Sequence, residues 1–136
     1  MSTNIRTEIS PNSKYYIPKE KYLELKHFCL QYPDWKKACR NLLNIPGNTL
    51  HLGTKPTDYP DPTAATAIML NEYSNKIEMI RSTAEEADSK LSNYILLSVT
   101  LGLSYPTLST VYHIPCGKDM FYDRYRRFFW LLSNKR

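Results

Sequence analysis

The chain has 136 residues, 42% of them hydrophobic, so it can bury a core in one domain without disulfides or metals. Its three cysteines are an odd number with no framework spacing, which fits buried or free thiols in a reducing compartment. The opening stretch MSTNIRTEISPNSKYY has no apolar core, and no later apolar run is long enough to span a membrane. We therefore expect a cytoplasmic protein with no signal peptide and no membrane contact.

The charge is distributed unevenly along the chain. The formal net charge is +5, but residues 61–117 carry three basic and six acidic residues, whereas residues 118–136 carry six basic and two acidic ones. A basic end after an acidic middle predicts a surface that faces phosphates. The same distribution is also typical of an ordinary solvated helix end, so charge alone leaves nucleic-acid binding open.

The N-terminal part of the sequence predicts a tail, two helices and a linker. Residues 1–14 are polar and contain Pro11, which predicts a flexible tail. Within residues 15–44, apolar residues recur every three or four positions, and Tyr32-Pro33 interrupts them, which predicts a pair of helices. Residues 45–60 are rich in proline and glycine without a sustained period, and they predict a linker.

Residues 61–136 open with the clearest helical period in the chain. Asp61-Pro62 is a strong helix start, and Gly102 is a natural stop. A heptad-type seam runs between them through Leu70, Tyr73, Ile77, Ile80, Ala84, Ala87, Leu91 and Tyr94. This seam predicts a homodimer through the long helix, with packing onto the N-terminal helices as the alternative. Asp88 and Ser89 could cap a new helix inside the segment.

The C-terminal sequence predicts a helix-turn-helix. Pro106 begins a short helix that continues to about Tyr112, residues 113–117 form a turn, and Lys118 begins the last helix. Strand patterns are weak throughout the chain. The predicted fold class is therefore all-α, with a helix-turn-helix C-terminal portion and a helical N-terminal appendage.

Apolar spacing predicts which side of the helix-turn-helix is buried. Leu108 and Val111 are expected to pack inward from the first helix, and Ile114 from the turn. Phe121 and Tyr125 are expected to anchor the second helix.

The other face of the last helix carries the predicted DNA-binding residues. Lysine and arginine there can bind phosphates or guanine edges, tyrosine can contact phosphate or a thymine methyl group, and aspartate can accept from cytosine or hold an arginine. The predicted contacts are Lys118, Asp119, Tyr122, Asp123, Arg124, Arg126, Arg127, Lys135 and Arg136. A generic helix hairpin that packs at the C-terminus would give the same pattern.

Some of these segments resemble a known family. Three segments look like parts of phage and prophage transcription regulators of the ArpU/RinA type. They are the start Asp61-Pro62-Thr63, Leu97-Ser-Val-Thr-Leu-Gly-Leu-Ser-Tyr, and Ile114-Pro-Cys-Gly-Lys-Asp-Met-Phe-Tyr-Asp-Arg-Tyr-Arg-Arg-Phe-Phe. The resemblance spans about residues 15–132 and is sharpest in residues 114–129. The resemblance implies a domain similar to sigma-factor region 4, double-stranded DNA as the ligand and control of late phage genes.

No motif predicts catalysis, a cofactor or a metal. The sequence has no P-loop, no GxGxxG and no nucleophile elbow, and the His113 and Cys116 pair lacks further ligands at suitable spacing. We therefore expect that the protein is not an enzyme. The alternative to DNA binding is a phage-encoded protein that binds and modulates a host protein, such as RNA polymerase or a host defence enzyme.

Overall fold

The computed structural model describes residues 14–43 and 62–136, which form α-helices and contain no strand. The helices are α1 (Lys19–Leu30), α2 (Tyr32–Leu43), α3 (Pro62–Ala87), α4 (Ser92–Leu101), α5 (Tyr105–Thr110) and α6 (Lys118–Lys135). The all-α prediction is confirmed. The predicted tail up to residue 13, the linker at residues 45–60 and the Asp61 cap lie outside the described residues. None of the described helices combines the length and hydrophobicity needed to cross a bilayer.

Prolines set the boundaries of the first two helices. Pro18 has an extended backbone and immediately precedes α1. Helix α1 ends at Leu30 and α2 begins at Tyr32, so the predicted interruption at Tyr32-Pro33 is confirmed. Pro33 lies in the first turn of α2, where a helix does not need its missing N–H group.

Asp88 divides the long predicted helix into α3 and α4. Its carboxylate Oδ1 accepts hydrogen bonds from the backbone N–H groups of Lys90 at 2.9 Å and Leu91 at 3.1 Å. This side chain satisfies donors that a continuing helix would have bonded to its own carbonyls, and a new helix starts at Ser92. The heptad-type seam therefore does not lie on one continuous helix. Gly102 ends α4 in the left-handed conformation, as predicted, with φ 73°.

The described residues belong to two compact units. The first contains residues 14–31 and 79–136, and the second contains residues 32–43 and 62–78. Helix α1 therefore shares a unit with α4, α5 and α6, while α2 belongs to the other unit. In the first unit, α1 packs on α4 and α6, and α4 packs on α5 and α6.

An aromatic row along α6 forms the core of the first unit. The fully buried residues of this core include Tyr22, Leu25, Ile95, Leu108, Phe121, Phe128, Phe129 and Leu132. Neighbouring rings meet edge to face, for example Tyr125 with Phe129 and Phe128 with Phe129, each at 5.0 Å between centroids. Such tilted contacts are the favoured geometry for aromatic pairs. The row fixes the rotation of α6 about its axis, because all of these rings lie on one side of it.

A buried hydrogen bond joins α1 to α6 inside this core. The hydroxyl groups of Tyr22 and Tyr125 lie 3.0 Å apart, and the Tyr22 ring meets the Phe129 ring at 5.1 Å. Burial raises the pKa of the Tyr125 hydroxyl well above its ordinary value. Tyr125 therefore remains a neutral hydrogen-bonding group at physiological pH, and its bond to Tyr22 satisfies polar atoms that would otherwise be costly to bury.

The second unit is described by α2 and the first part of α3. Trp35 is 5% exposed, and the ammonium group of Lys76 lies 5.4 Å from the centre of its ring, a cation–π geometry. In contrast, α3 carries two large apolar side chains in water, Ile68 at 61% and Met69 at 43% exposure.

Candidate nucleic-acid interface

Helix α5 is held against the start of α6 by Tyr105. Its backbone N–H donates to the Tyr122 hydroxyl at 3.3 Å, and its own hydroxyl donates to the Cys116 carbonyl at 2.6 Å. The Tyr105 ring also lies 6.0 Å from that of Phe121. These contacts bring the short helix, the connecting turn and the first turns of α6 into one arrangement.

The turn between α5 and α6 reverses at His113. This residue has a φ of 56°, in the left-handed region, and the N–H of Ile114 then donates to the Leu108 carbonyl at 3.1 Å. The reversal buries Ile114, which is 8% exposed, as predicted. The expectation for Val111 is wrong, since it is 61% exposed. Because α5 ends at Thr110 and not near Tyr112, Val111 falls in the turn and outside the inward side of the helix.

The first turn of α6 is exposed. Gly117 precedes the helix in an extended conformation, and Lys118, Asp119 and Met120 all face solvent, with Met120 at 45% exposure. The next residue, Phe121, is fully buried. Asp119 also suits this position because a carboxylate near a helix N-terminus is stabilised by the helix dipole.

Two of the predicted phosphate-binding cations have no partner among the residues that the structure describes. Neither Lys118 nor Arg126 makes a hydrogen bond or an ion pair with any residue that the structure describes. They lie eight positions apart, about 12 Å along the helix axis. Their charges therefore remain available to an external anion.

Tyr122 is buried, so the prediction that it lies on the exposed face of the last helix is wrong. It is 6% exposed, and its ring meets the rings of Phe121 at 5.0 Å and Tyr125 at 5.7 Å. Its hydroxyl accepts from the Tyr105 backbone N–H. The sequence suggested exposure because the side chain has a polar end, but that end satisfies the start of α5 instead of a ligand.

Arg124 forms ion pairs with its neighbour Asp123 and with Asp88 in the α3–α4 turn. The Arg124 Nε donates to Asp88 Oδ2 at 2.9 Å, and its guanidinium also pairs with the Asp123 carboxylate. Burial alone would raise the pKa of Asp88, but hydrogen bonds from Arg124 and from the backbone of Leu91 and Lys90 outweigh it and leave the pKa lowered. Arg124 therefore positions the turn that begins at Asp88.

Arg127 has weaker partners. Its guanidinium donates to the Tyr15 hydroxyl and to the Glu86 backbone carbonyl, each at 3.4 Å. The hydrogen bond from Arg127 lowers the pKa of Tyr15. No carboxylate of the described chain forms an ion pair with Arg127.

The last two predicted contacts are ion-paired within the first unit. The Lys135 ammonium group lies 2.9 Å from the Glu86 carboxylate, and the Arg136 guanidinium lies 2.9 Å from that of Glu24. Arg136 also covers the Phe28 ring at 4.0 Å. These charges bind α6 to the rest of the unit, so they are less available to phosphates than Lys118 and Arg126.

Five residues outside the predicted set line one pocket together with Arg124 and Arg127, and this pocket lies beside the α3–α4 turn. They are Tyr15, Ala87, Asp88, Ser89 and Lys90. The capping potential of Asp88 is visible in the sequence. The hydrogen bond between Tyr15 and Arg127 is not visible in the sequence, because the two residues are 112 positions apart.

The described residues offer little for other chemistry. They contain no group of three or more histidine, cysteine, aspartate or glutamate side chains that could hold a metal ion. Cys29 is fully buried, and burial raises the pKa of its thiol. No family model, curated protein or solved structure matches this chain. The case for function therefore depends on the geometry of its own residues.

Proposed function

We propose that the protein is a sequence-specific, double-stranded DNA-binding transcription regulator that inserts the first turns of α6 into the major groove. The observation that carries the proposal is the contrast between buried and exposed residues at the start of α6. Phe121 is fully buried and anchors the helix, while Lys118 and Asp119 are exposed directly before it. A recognition helix needs this combination of a fixed inner face and a polar, accessible N-terminal turn.

The geometry of α5, the turn and α6 supports a helix-turn-helix of the sigma region 4 type. Leu108 from α5 and Ile114 from the turn are both buried, and Tyr105 ties α5 to the start of α6. An α-helix with its side chains is about 10–12 Å wide, and the major groove of B-DNA is about 12 Å wide. The exposed turn of α6 can enter such a groove while the aromatic row stays in the core.

The unpaired cations have distinct roles in this proposal. Arg126 makes bidentate contact with a guanine, and Lys118 binds a phosphate or a guanine edge. Asp119 accepts a hydrogen bond from a cytosine amino group. The resemblance of residues 114–129 to ArpU/RinA regulators adds control of late phage genes, and RNA polymerase as a further partner, to the proposal.

Selection of bound sequences from a library of random DNA duplexes tests sequence-specific binding and does not require the operator sequence to be known. The full-length protein is expected to enrich a common motif. Arg126→Ala is expected to lower the affinity ratio of the motif over scrambled DNA about 10- to 100-fold, because one bidentate base contact discriminates by about 1–3 kcal/mol.

Lys37→Ala is the matched control. Lys37 is an exposed cation on α2 with no hydrogen bond or ion pair to a described residue, and its loss is expected to leave the affinity ratio unchanged. Selection that enriches no motif contradicts the proposed function. An equal loss of discrimination in the two variants contradicts the assignment of the reading face.

The exposed apolar side chains of α3 favour a second proposal, a protein contact that makes a homodimer. The predicted seam is largely unavailable for it, because its members Ile80, Ala84, Ala87 and Leu91 are buried in the first unit. The proposed contact therefore involves Ile68 and Met69, which are exposed on α3 but are not members of that seam. A dimer would present two α6 helices to half-sites about one helical turn apart.

Sedimentation equilibrium tests the dimer. The wild type is expected to be dimeric at micromolar concentrations, and Ile68→Asp is expected to shift it toward monomer. Ser74→Asp adds the same charge at another exposed position of α3 and serves as the control. A monomeric wild type contradicts the dimer, and a dimer that survives Ile68→Asp places the contact elsewhere.

A further inference from the structure

An open pocket of about 500 Å³ lies beside the α3–α4 turn of the first unit. Its volume is within the range of small-ligand sites. The lining residues are Tyr15, Ala87, Asp88, Ser89, Lys90, Arg124 and Arg127. Three of these carry a positive charge and one a negative charge, which leaves the lining with a formal charge of +2 (three minus one).

The one carboxylate does not neutralise the rest of the pocket. Asp88 accepts from Arg124 at 2.9 Å through Oδ2 and from the Lys90 and Leu91 backbone N–H groups through Oδ1. Both of its oxygens are therefore occupied, and its charge is compensated by Arg124. The charges of Arg127 and Lys90 remain without an acidic partner among the described residues.

Arg127 is the side chain best prepared for an anion. It is half-buried, yet within the described part of the chain its guanidinium makes only two long hydrogen bonds of 3.4 Å, both to uncharged oxygens. A partly desolvated guanidinium normally pairs with a carboxylate or a phosphate, which it binds through two parallel N–H donors. Tyr15 adds a hydroxyl group next to Arg127, and the ammonium group of Lys14 lies 5.0 Å from the Tyr15 ring.

We propose that this pocket binds a phosphoryl group, with Arg127 as the bidentate donor and with Lys90 and the Tyr15 hydroxyl completing the site. Arg124 stays paired with Asp88 and positions the turn that carries Lys90. The phosphoryl group belongs either to the DNA backbone or to a phosphate monoester such as a mononucleotide. The site does not depend on the first turn of α6, so it goes beyond the proposed reading of bases.

Titration of the full-length protein with inorganic phosphate, followed through the ¹⁵N signals of the arginine Nε groups, tests the site. Saturable shifts are expected at Arg127. Arg127→Gln is expected to weaken phosphate binding about tenfold or more, because it removes a charge-assisted bidentate contact. Lys37→Gln is the matched control, since Lys37 is an exposed cation that does not line the pocket, and it is expected to leave binding unchanged.

Lys90→Gln keeps the proposal testable if Arg127→Gln fails to fold. Lys90 is exposed, so its loss is not expected to disturb the core, and phosphate binding is expected to weaken several-fold. The absence of saturable phosphate binding in the wild type overturns the proposal. Equal phosphate affinities of the wild type and both pocket variants also overturn it.

Two further titrations distinguish the sources of the phosphoryl group. If it is a backbone phosphate, Arg127→Gln weakens binding to all duplexes about equally, and inorganic phosphate competes with DNA. If it is a monoester, a nucleoside 5′-monophosphate binds more tightly than inorganic phosphate, while the DNA affinity of Arg127→Gln stays unchanged. Either result supports the site. A protein that binds phosphate but enriches no DNA motif refutes the proposed function alone.

Discussion

The first and last turns of α6 carry similar basic side chains in different environments. Lys118 in the first turn is exposed and has no ion-pair partner among the described residues, whereas Lys135 in the last turn pairs with Glu86. Arg136 directly after the helix pairs with Glu24 and covers Phe28. A count of cations would assign the two ends the same role. The ion pairs indicate that the last turn fastens the helix and that the first turn is the one able to bind phosphates.

Substitutions at buried and exposed positions in the first turns of α6 are expected to differ most in their effect on stability. Phe121→Ala is expected to destabilise the protein by about 3–5 kcal/mol, because it removes a fully buried aromatic ring. Met120→Ala, at a neighbouring exposed position, is expected to change stability by less than about 0.5 kcal/mol. Urea unfolding of both variants measures the difference. Similar losses in the two variants would mean that the rotation of α6 differs from the one described.

The pairing of Arg124 with Asp88 predicts an intermediate effect. Asp88→Ala is expected to cost about 1–3 kcal/mol, since it removes both the cap of the α3–α4 turn and a partly buried ion pair. Asp88→Asn retains an oxygen that can accept from the turn and is expected to cost less. Equal losses in chemical unfolding would show that the turn hydrogen bonds contribute little.

The same pair predicts a dependence on pH. The folded-state pKa of Asp88 lies below its ordinary value, so its charge contributes stability above the unfolded pKa of about 4, and this contribution is lost as pH falls through the folded pKa. The difference in unfolding free energy between wild type and Asp88→Asn is therefore expected to shrink below about pH 4. A difference that grows on acidification would contradict the stabilising role of the charge.

The last turn of α6 gives the smallest expected effect. Lys135→Ala is expected to cost no more than about 1 kcal/mol, because its ion pair with Glu86 is solvent-exposed and such pairs contribute little. Glu86→Gln, which removes the other partner, is expected to behave alike. Thermal unfolding at low and high salt provides the measurement. A loss of several kcal/mol would mean that Lys135 does more than close this pair.

Local signals in the sequence predicted much of the fold. The break at Tyr32-Pro33, the end of α4 at Gly102 and the burial of Ile114 each depend on residues close in sequence, and all three are confirmed. Leu108 and Phe121 were also placed inward correctly, because helical spacing alone determines which side of a short helix is apolar.

The candidate site was predicted less well because it depends on distant partners. Lys135 meets Glu86 across 49 positions and Arg136 meets Glu24 across 112, and no periodicity in a single sequence reveals such pairs. Tyr122 was misplaced for a related reason. Its hydroxyl group is satisfied by the backbone of Tyr105, which lies 17 positions away.

The salt dependence of DNA binding tests the contrast between the two ends of α6 most directly. The slope of log affinity against log salt is to be measured on one duplex for the wild type, Lys118→Ala and Lys135→Ala. Lys118→Ala is expected to make the slope shallower by about 0.9, the value for one lost phosphate contact, and Lys135→Ala is expected to leave it unchanged. A slope that changes with Lys135→Ala but not with Lys118→Ala would contradict the account.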